Sequence, residues 1–426
     1  MNPAPEENPV TRAIWRSYII VCLLNILNYM DRMVLPSVVP AVRAEFSLSD
    51  TQIGMLFTAF AIVYAVCAVP IGRLADALPR KRLVIAAASL WSVMTVGCGL
   101  ATSYWTLFIA RMGVSLGECG YSPTAYSLFS DYFSPRRRNW TIGLFNSCSS
   151  IGVVCGLVCG GWLAAEYGWR SGFIILGLPG LLVALLMFGF LVEPVRGASD
   201  AGVKHHGAPG NLVADLKTLF GNRMFVWILF TTGFNGFCAV GMVNWLPSFF
   251  ERSHQMSLSS VGLQFGIAFG VGLGLGQIVG GFLGAYLARL HVFRPLLICI
   301  ASNILLAPVF LVVLWVPSAP VAIAVTLVAA FLGALGHPVQ AVAAMNALPS
   351  HLRGMAAAII TTFFSFFGMA VGPLLVGILS DWFTAHGGGV HTLRNALSMM
   401  QFIFVLATFS AWRAYLAGRP QATAAA

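Results

Sequence analysis

Four ionisable side chains sit deep inside apolar stretches of this sequence. Asp31 and Arg32 are adjacent in LNILNYMDRMVLP, and Arg111 and Glu118 lie seven apart in FIARMGVSLGECGYSP. Of the 14 acidic residues, only Asp31 and Glu118 fall well within such runs, while Asp76 and Asp131 stand at their ends. A carboxylate held in hydrocarbon costs at least about 2.5–3.5 kcal/mol on insertion scales, so such residues need pairing, an aqueous cavity or both. Seven residues are about 700° of helical turn, which returns Arg111 and Glu118 to nearly one face. A carboxylate beside a guanidinium can change proton occupancy as a cavity opens and closes. Asp31 and Glu118 are therefore the candidate proton carriers. Arg32 and Arg111 are candidate counter-ions or anchors for an anionic substrate, because guanidinium meets carboxylate or phosphate in bidentate fashion. A static bridge tying two helices together is the simpler use of the same four groups. His337, just before Pro338, could line the same kind of cavity as a proton or substrate ligand, or simply bond a neighbouring helix.

Other chemistry is only imitated. Gly113-Val-Ser115-Leu-Gly117 matches a nucleophile-elbow string, but it lies mid-helix and lacks the strand–turn–helix setting. Gly272-Leu-Gly274-Leu-Gly276 follows no strand, and no Walker lysine loop exists to bind ATP. The nine cysteines lie in apolar runs without a CxxC, and the histidines show no ligand spacing. No enzyme activity, cofactor or metal is expected.

Long apolar segments must position these residues. Hydrophobic residues make up 58% of the 426, and charged ones only 9%; mean hydropathy is +0.84. A soluble domain carries about 25% charge, so a water-soluble globule is excluded, as is disorder. A membrane span needs about 20 apolar residues. Twelve are expected, at roughly 16–40, 51–73, 83–102, 104–131, 140–164, 171–192, 223–250, 258–288, 294–315, 320–346, 355–380 and 395–416. The net charge of +10 is not a nucleic-acid stripe. With the N-terminus inside, eighteen of the 24 Lys/Arg lie on the cytoplasmic side. Four (Arg43, Arg170, Arg252, Arg394) lie outside, and Arg32 and Arg111 within the membrane. Both termini are thus expected in the cytoplasm, with the first span itself directing insertion.

The polar stretch 193–222 splits the spans into sets of six, giving bundles at 1–192 and 223–426. A shift of 215 lays Pro123 on Pro338, Asp131 on Asn346 and Arg138 on Arg353. A shift of 210 lays Ser47-Leu48-Ser49 on Ser257-Leu258-Ser259. The expected fold class is an all-α polytopic membrane protein of 12 transmembrane helices in two pseudo-symmetric six-helix halves, an architecture suited to alternating access. Glycines crowd the fifth, eighth and eleventh spans, as at 152, 156, 160 and 161, where close helix packing is the default role.

The loop after the second span reads Gly72-Arg-Leu-Ala-Asp76-Ala-Leu-Pro-Arg80-Lys81-Arg82. It resembles the loop motif of the major facilitator superfamily. In that family the motif latches two halves in one state, which implies latch roles for Gly72, Asp76, Arg80 and Arg82 with Asp131 and Arg138. In the second half Ala285 stands where the aspartate would be. Asn28-Tyr29-Met30-Asp31-Arg32, Arg111 through Glu118 to Ala125, Ser130-Asp131-Tyr132-Phe133, Gly168-Trp169-Arg170 and Gly177-Leu-Pro-Gly180 together resemble a bacterial Spinster-type member. The fifth span is similar to the superfamily's antiporter motif, with Leu157 in place of proline. The resemblance implies a monomeric secondary transporter in the bacterial inner membrane. It would move an amphiphilic, lysolipid-like or anionic small molecule, with protons and the lipid bilayer as partners. The anion:cation symporter branch shares the first-span and fourth-span patterns and keeps open proton-coupled uptake of small organic anions. That branch carries Trp-Phe-Pro near the fourth-span exit, where this chain has Asp131-Tyr132-Phe133-Ser134-Pro135. A membrane-integral enzyme or sensor is the remote remaining class.

Overall fold

A computed structural model describes residues 11–195, 212–349 and 352–423, which are helical with no strand among them. The helices are α1 (Arg12–Phe46), α2 (Asp50–Ala77), α3 (Arg80–Gly99), α4 (Tyr104–Glu118), α5 (Tyr121–Tyr132), α6 (Pro135–Tyr167), α7 (Trp169–Phe190), α8 (Leu212–Gly221) and α9 (Arg223–His254). They continue as α10 (Leu258–Leu290), α11 (Leu296–Trp315), α12 (Ala319–Leu335), α13 (His337–Asn346), α14 (Arg353–Phe364), α15 (Gly372–Ala385), α16 (Thr392–Met400) and α17 (Ile403–Thr423). Eleven stretches are long and apolar enough to cross a membrane. The pair α4–α5 supplies a twelfth, at 104–132.

Three of the expected continuous spans are broken: 395–416 at 401–402, between α16 and α17, and two others beside a proline. Proline has no N–H to donate and crowds the preceding turn. Pro123 follows the break after Glu118, and Pro338 follows the break at Gly336. The prolines related by the 215-residue shift therefore mark matching interruptions, α4/α5 and α12/α13. A seven-residue π-helical stretch, Ser365–Val371, interrupts the eleventh span between α14 and α15. The polar stretch between the halves contains α8, anchored by its buried Leu219.

Local signals set the helix starts. Ser103 and Thr106 form a reciprocal capping box at α4. Asn222 accepts from Phe225 N at 3.1 Å to cap α9. Ser257 accepts from Ser260 N at 3.3 Å to cap α10.

By compactness the chain divides into two units. The first takes α1 through Leu35, Val63–Gly156 and Glu166 to the end of α7; the second takes Pro36–Ile62, Leu157–Ala165 and everything from α8 onward. In the first unit a Cβ on Gly117 would stand 2.6 Å from Trp91 N and 2.9 Å from Ala87 O. Only glycine lets α4 approach the α3 backbone this closely. In the second unit Gly161 and Gly262 permit the same approach, since a Cβ on Gly161 would meet Leu258 O at 2.6 Å. The glycine-rich spans are thus packing surfaces, as their spacing indicates.

Candidate functional site

The first unit gathers Asp31, Arg32, Arg111 and Glu118 in its interior. Asp31 is 1% exposed, Arg111 3% and Glu118 0%. Arg32 Nε donates to Glu118 Oε2 at 2.5 Å, a direct bridge from α1 to α4. The Arg32 guanidinium also lies over two rings, 5.1 Å from the Tyr29 centroid and 5.2 Å from that of Tyr64. Thr95 Oγ1 donates to Asp31 Oδ2 at a long 3.5 Å. Asp31 interacts electrostatically with both Glu118 and Arg111. One oxygen of each carboxylate, Asp31 Oδ1 and Glu118 Oε1, has no hydrogen-bond partner. Two acids and two bases make the cluster formally neutral when all are ionised.

The pairing differs from the helical-face argument. Arg111 shares the Glu118 face of α4, yet the ion pair of Glu118 is made by Arg32 from the neighbouring helix. Two turns separate Arg111 from Glu118, about 10 Å along the axis. Arg32 crosses from α1 and reaches the carboxylate directly. Nothing in spacing along one helix can register such a crossing. Tyr64, the second ring under Arg32, was likewise invisible as a site residue, since an aromatic in a span is ordinarily packing.

Arg80 forms a second buried cluster in the same unit. It is 2% exposed; Nη1 donates to Asp131 Oδ2 at 2.5 Å and to Ser127 O at 3.0 Å. Nη2 donates to Pro194 O at 3.2 Å. Glu193 accepts from the backbone N–H groups of Arg80 and Lys81 at 3.2 and 2.6 Å, which places a carboxylate on the positive end of α3. Arg138 Nη2 donates to Ser130 O at 2.6 Å. Arg82 is exposed. The side chain of Asp76 lies outside the described residues, as do the surroundings of Gly72.

His337 opens α13 in the second unit, edge-on to Phe364 with ring centroids 6.2 Å apart. It lines a cavity with Asn235 and Asn303.

One charged cluster escaped the sequence. Arg252 Nη1 and Nη2 each donate to Asp50 at 2.8 Å, a bidentate pair. Ser380 Oγ donates to the same carboxylate at 2.7 Å, and Arg43 lies 3.2 Å away. Asp381 then caps α2 by accepting from Asp50 N and Thr51 N at 3.1 and 2.8 Å. All belong to the second unit. The available signal was that Arg43, Asp50, Arg252 and Asp381 stand at span ends on one side; the pairing itself has no spacing rule.

Comparison with known proteins matches this arrangement to a family. The Major Facilitator Superfamily pattern fits residues 21–373. An MFS-type efflux pump of Mycolicibacterium smegmatis is 29% identical over 411 residues, covering 95% of this chain and 93% of the relative. Protein spinster homolog 1 of Homo sapiens is 31% identical over 244 residues, covering 55% of this chain and 45% of the relative. The chain thus spans about half the length of that curated Spinster relative. The crystal structure of a bacterial homolog of the human lysosomal transporter Spinster, inward-facing and unoccupied, superposes with a TM-score of 0.84 at 24% identity. It covers 96% of this chain and 98% of that one. The nucleoside transporter NupG gives a TM-score of 0.70 at 14% identity, covering 93% and 98%. The membrane-length helices, the buried charges of α1 and α4 and these matches lead to one conclusion: the chain belongs to the major facilitator superfamily, as a membrane transporter resembling the Spinster branch.

Proposed function

We propose that the chain is a proton-coupled secondary transporter that moves an amphiphilic or anionic small molecule by alternating access. Two six-helix halves, residues 1–192 and 223–426, carry the motion, and 193–222 joins them. The observation that carries this reading is the neutral, buried cluster of Asp31, Arg32, Arg111 and Glu118. Gaining one proton gives the cluster a net positive charge, and losing it restores neutrality. That change alters its affinity for an anionic group without any cofactor. Asp31 is the carrier, because its carboxylate is held by a long Thr95 hydrogen bond of 3.5 Å, against the 2.5 Å ion pair of Glu118. Glu118 is held by Arg32 and organises the cluster. Arg32 and Arg111 attract the anionic part of the substrate, while Gly72, Asp76, Arg80, Arg82, Asp131 and Arg138 regulate switching at the cytoplasmic side.

The Lys/Arg bias supports cytoplasmic termini in a bacterial plasma membrane. Similarity to the mycobacterial efflux pump over 95% of the chain supports export as the direction. The Spinster likeness supports a lysolipid-like substrate, handled by a monomer. The test is flux in proteoliposomes of the full chain, with labelled lysolipids and small organic acids offered under an imposed pH gradient. Gradient-driven flux of a lysolipid bears the reading out. Flux confined to organic acids moves the substrate to the anion-carrier alternative, and flux indifferent to the gradient for every compound removes proton coupling.

A further inference from the structure

The second unit holds a small, partly open cavity of about 40 Å³, framed by Phe269, Phe310, Phe404 and the three polar residues Asn235, Asn303 and His337. That volume exceeds the ~10–15 Å³ needed for one water. Asn303 is 3% exposed, and its Nδ2 has no hydrogen-bond partner. Asn235 Oδ1 is buried and equally unsatisfied. An unmet donor and an unmet acceptor therefore line one partly open, largely apolar space, with His337 as its third polar residue. Buried polar atoms are nearly always paired, and leaving two unpaired carries a cost that a ligand would remove.

Outside this cavity, a larger groove of about 530 Å³ runs between α11 and α17. Its walls include the exposed Ile304, Val405, Phe409 and Trp412. Asn303 and Phe404 line both spaces, so cavity and groove meet at these two side chains. Neither lining contains a lysine, arginine, aspartate or glutamate.

The chemistry selects the occupant. A hydroxyl donates once and accepts, so it carries both the donor that Asn235 Oδ1 lacks and the acceptor that Asn303 Nδ2 lacks. A primary or secondary amide does the same. An ionised headgroup would enter this apolar space without a counter-ion, at a large desolvation cost. The groove, apolar and facing the hydrocarbon of the bilayer, suits an alkyl chain.

We propose that the cavity is a binding site for an uncharged amphiphile. Its hydroxyl or amide seats between Asn235 and Asn303, and its hydrocarbon chain lies in the α11–α17 groove, reached from the bilayer past Phe404. The site requires neither proton coupling nor an anionic headgroup, so it stands apart from the charged cluster of the first unit.

The experiment uses the full chain in lipid nanodiscs and a hexadecanol probe carrying a diazirine in its chain. Photolabelling followed by peptide mapping should place the adducts on α11 and α17. Unlabelled hexadecanol should compete for these sites about three- to tenfold better than hexadecane, the ratio expected of one or two neutral hydrogen bonds. Hexadecyl sulfate should compete no better than hexadecane. Asn303→Leu, similar in size and suited to an apolar cavity, should erase the advantage of the alcohol. Ala330→Leu, which fills the cavity from α12, should reduce competable labelling by a similar factor and serves if the first variant fails to fold. Adducts spread evenly over the lipid-facing helices would overturn the proposal. So would equal competition by alcohol and alkane, or unchanged competition in both variants. Proton-driven flux measured on the same preparation reports on the charged cluster alone, so either idea can fail without the other.

Discussion

Replacing Glu118 by glutamine removes the only carboxylate that ion-pairs Arg32 among the described contacts, at 2.5 Å and with Glu118 fully buried. Removing one partner of a buried pair costs about 3–5 kcal/mol, because the remaining charge is left in a poor solvent. The Tyr29 and Tyr64 rings at 5.1 and 5.2 Å still face the guanidinium. Such contacts are worth about 0.5–2 kcal/mol each, which places the expected loss near the lower end, about 3 kcal/mol. Arg32→Met removes the ion-pair partner of Glu118 instead, leaves Arg111 as its remaining electrostatic partner, and should cost a similar amount. The sign of the double variant is the discriminating result. Removing both charges eliminates the desolvation penalty, so Arg32→Met/Glu118→Gln should be more stable than either single variant. The coupling energy should be about 2 kcal/mol or greater. Reversible unfolding of the purified chain in mixed micelles measures all four corners of the cycle. Additive losses, with the double variant the least stable, would refute the claim that this pair is the energetic link between α1 and α4.

Four further outcomes are expected. Asp31→Asn should abolish flux driven by a pH gradient while substrate binding persists, whereas Glu118→Gln should impair both; surviving gradient-driven flux in the asparagine variant would leave Asp31 a structural group. Asp50→Asn weakens charge-assisted bonds from Arg252, Arg43 and Ser380, each worth about 1.5–3 kcal/mol; hydrogen exchange at the α2 amides from Asp50 to Thr58 should rise at least tenfold. Gly117→Val should sharply reduce folded yield because its Cβ would stand 2.6 Å from Trp91 N, while Gly143→Ala, with nothing within 4 Å, should be tolerated; monodisperse protein by size exclusion reads both. A single cysteine at Ala385 of a cysteine-free chain should react with an impermeant thiol reagent in intact cells, and one at Thr218 should not; the reverse pattern would invert the proposed topology.

Much of this protein was legible before any fold was available. Hydropathy and low charge dictate a polytopic helical chain, since apolar runs of about 20 residues cannot be hidden in water. The buried charges of α1 and α4 were legible for the same reason, because an ionisable residue inside such a run has no inexpensive alternative use. The repeated prolines Pro123 and Pro338 were visible, but the breaks beside them were not, since Pro36, Pro40, Pro70, Pro179, Pro247 and Pro308 lie inside unbroken helices. Tertiary structure decided which groups meet. Arg111 shares the Glu118 face, but Arg32 takes the carboxylate, because the approach of α1 to α4 is encoded in no periodicity. Arg252 and Asp50 lie far apart in sequence and make a bidentate pair through packing alone. The repeated Ser-Leu-Ser strings show the division most directly. Ser257, the first residue of its string, caps α10, whereas in the other copy Ser49, the last, accepts from Gln52 N at 3.2 Å to cap α2. Identical local chemistry offers both caps. The frame chosen depends on where each helix is held, and at α2 the Asp381 carboxylate supplies further acceptors for the backbone N–H groups of Asp50 and Thr51.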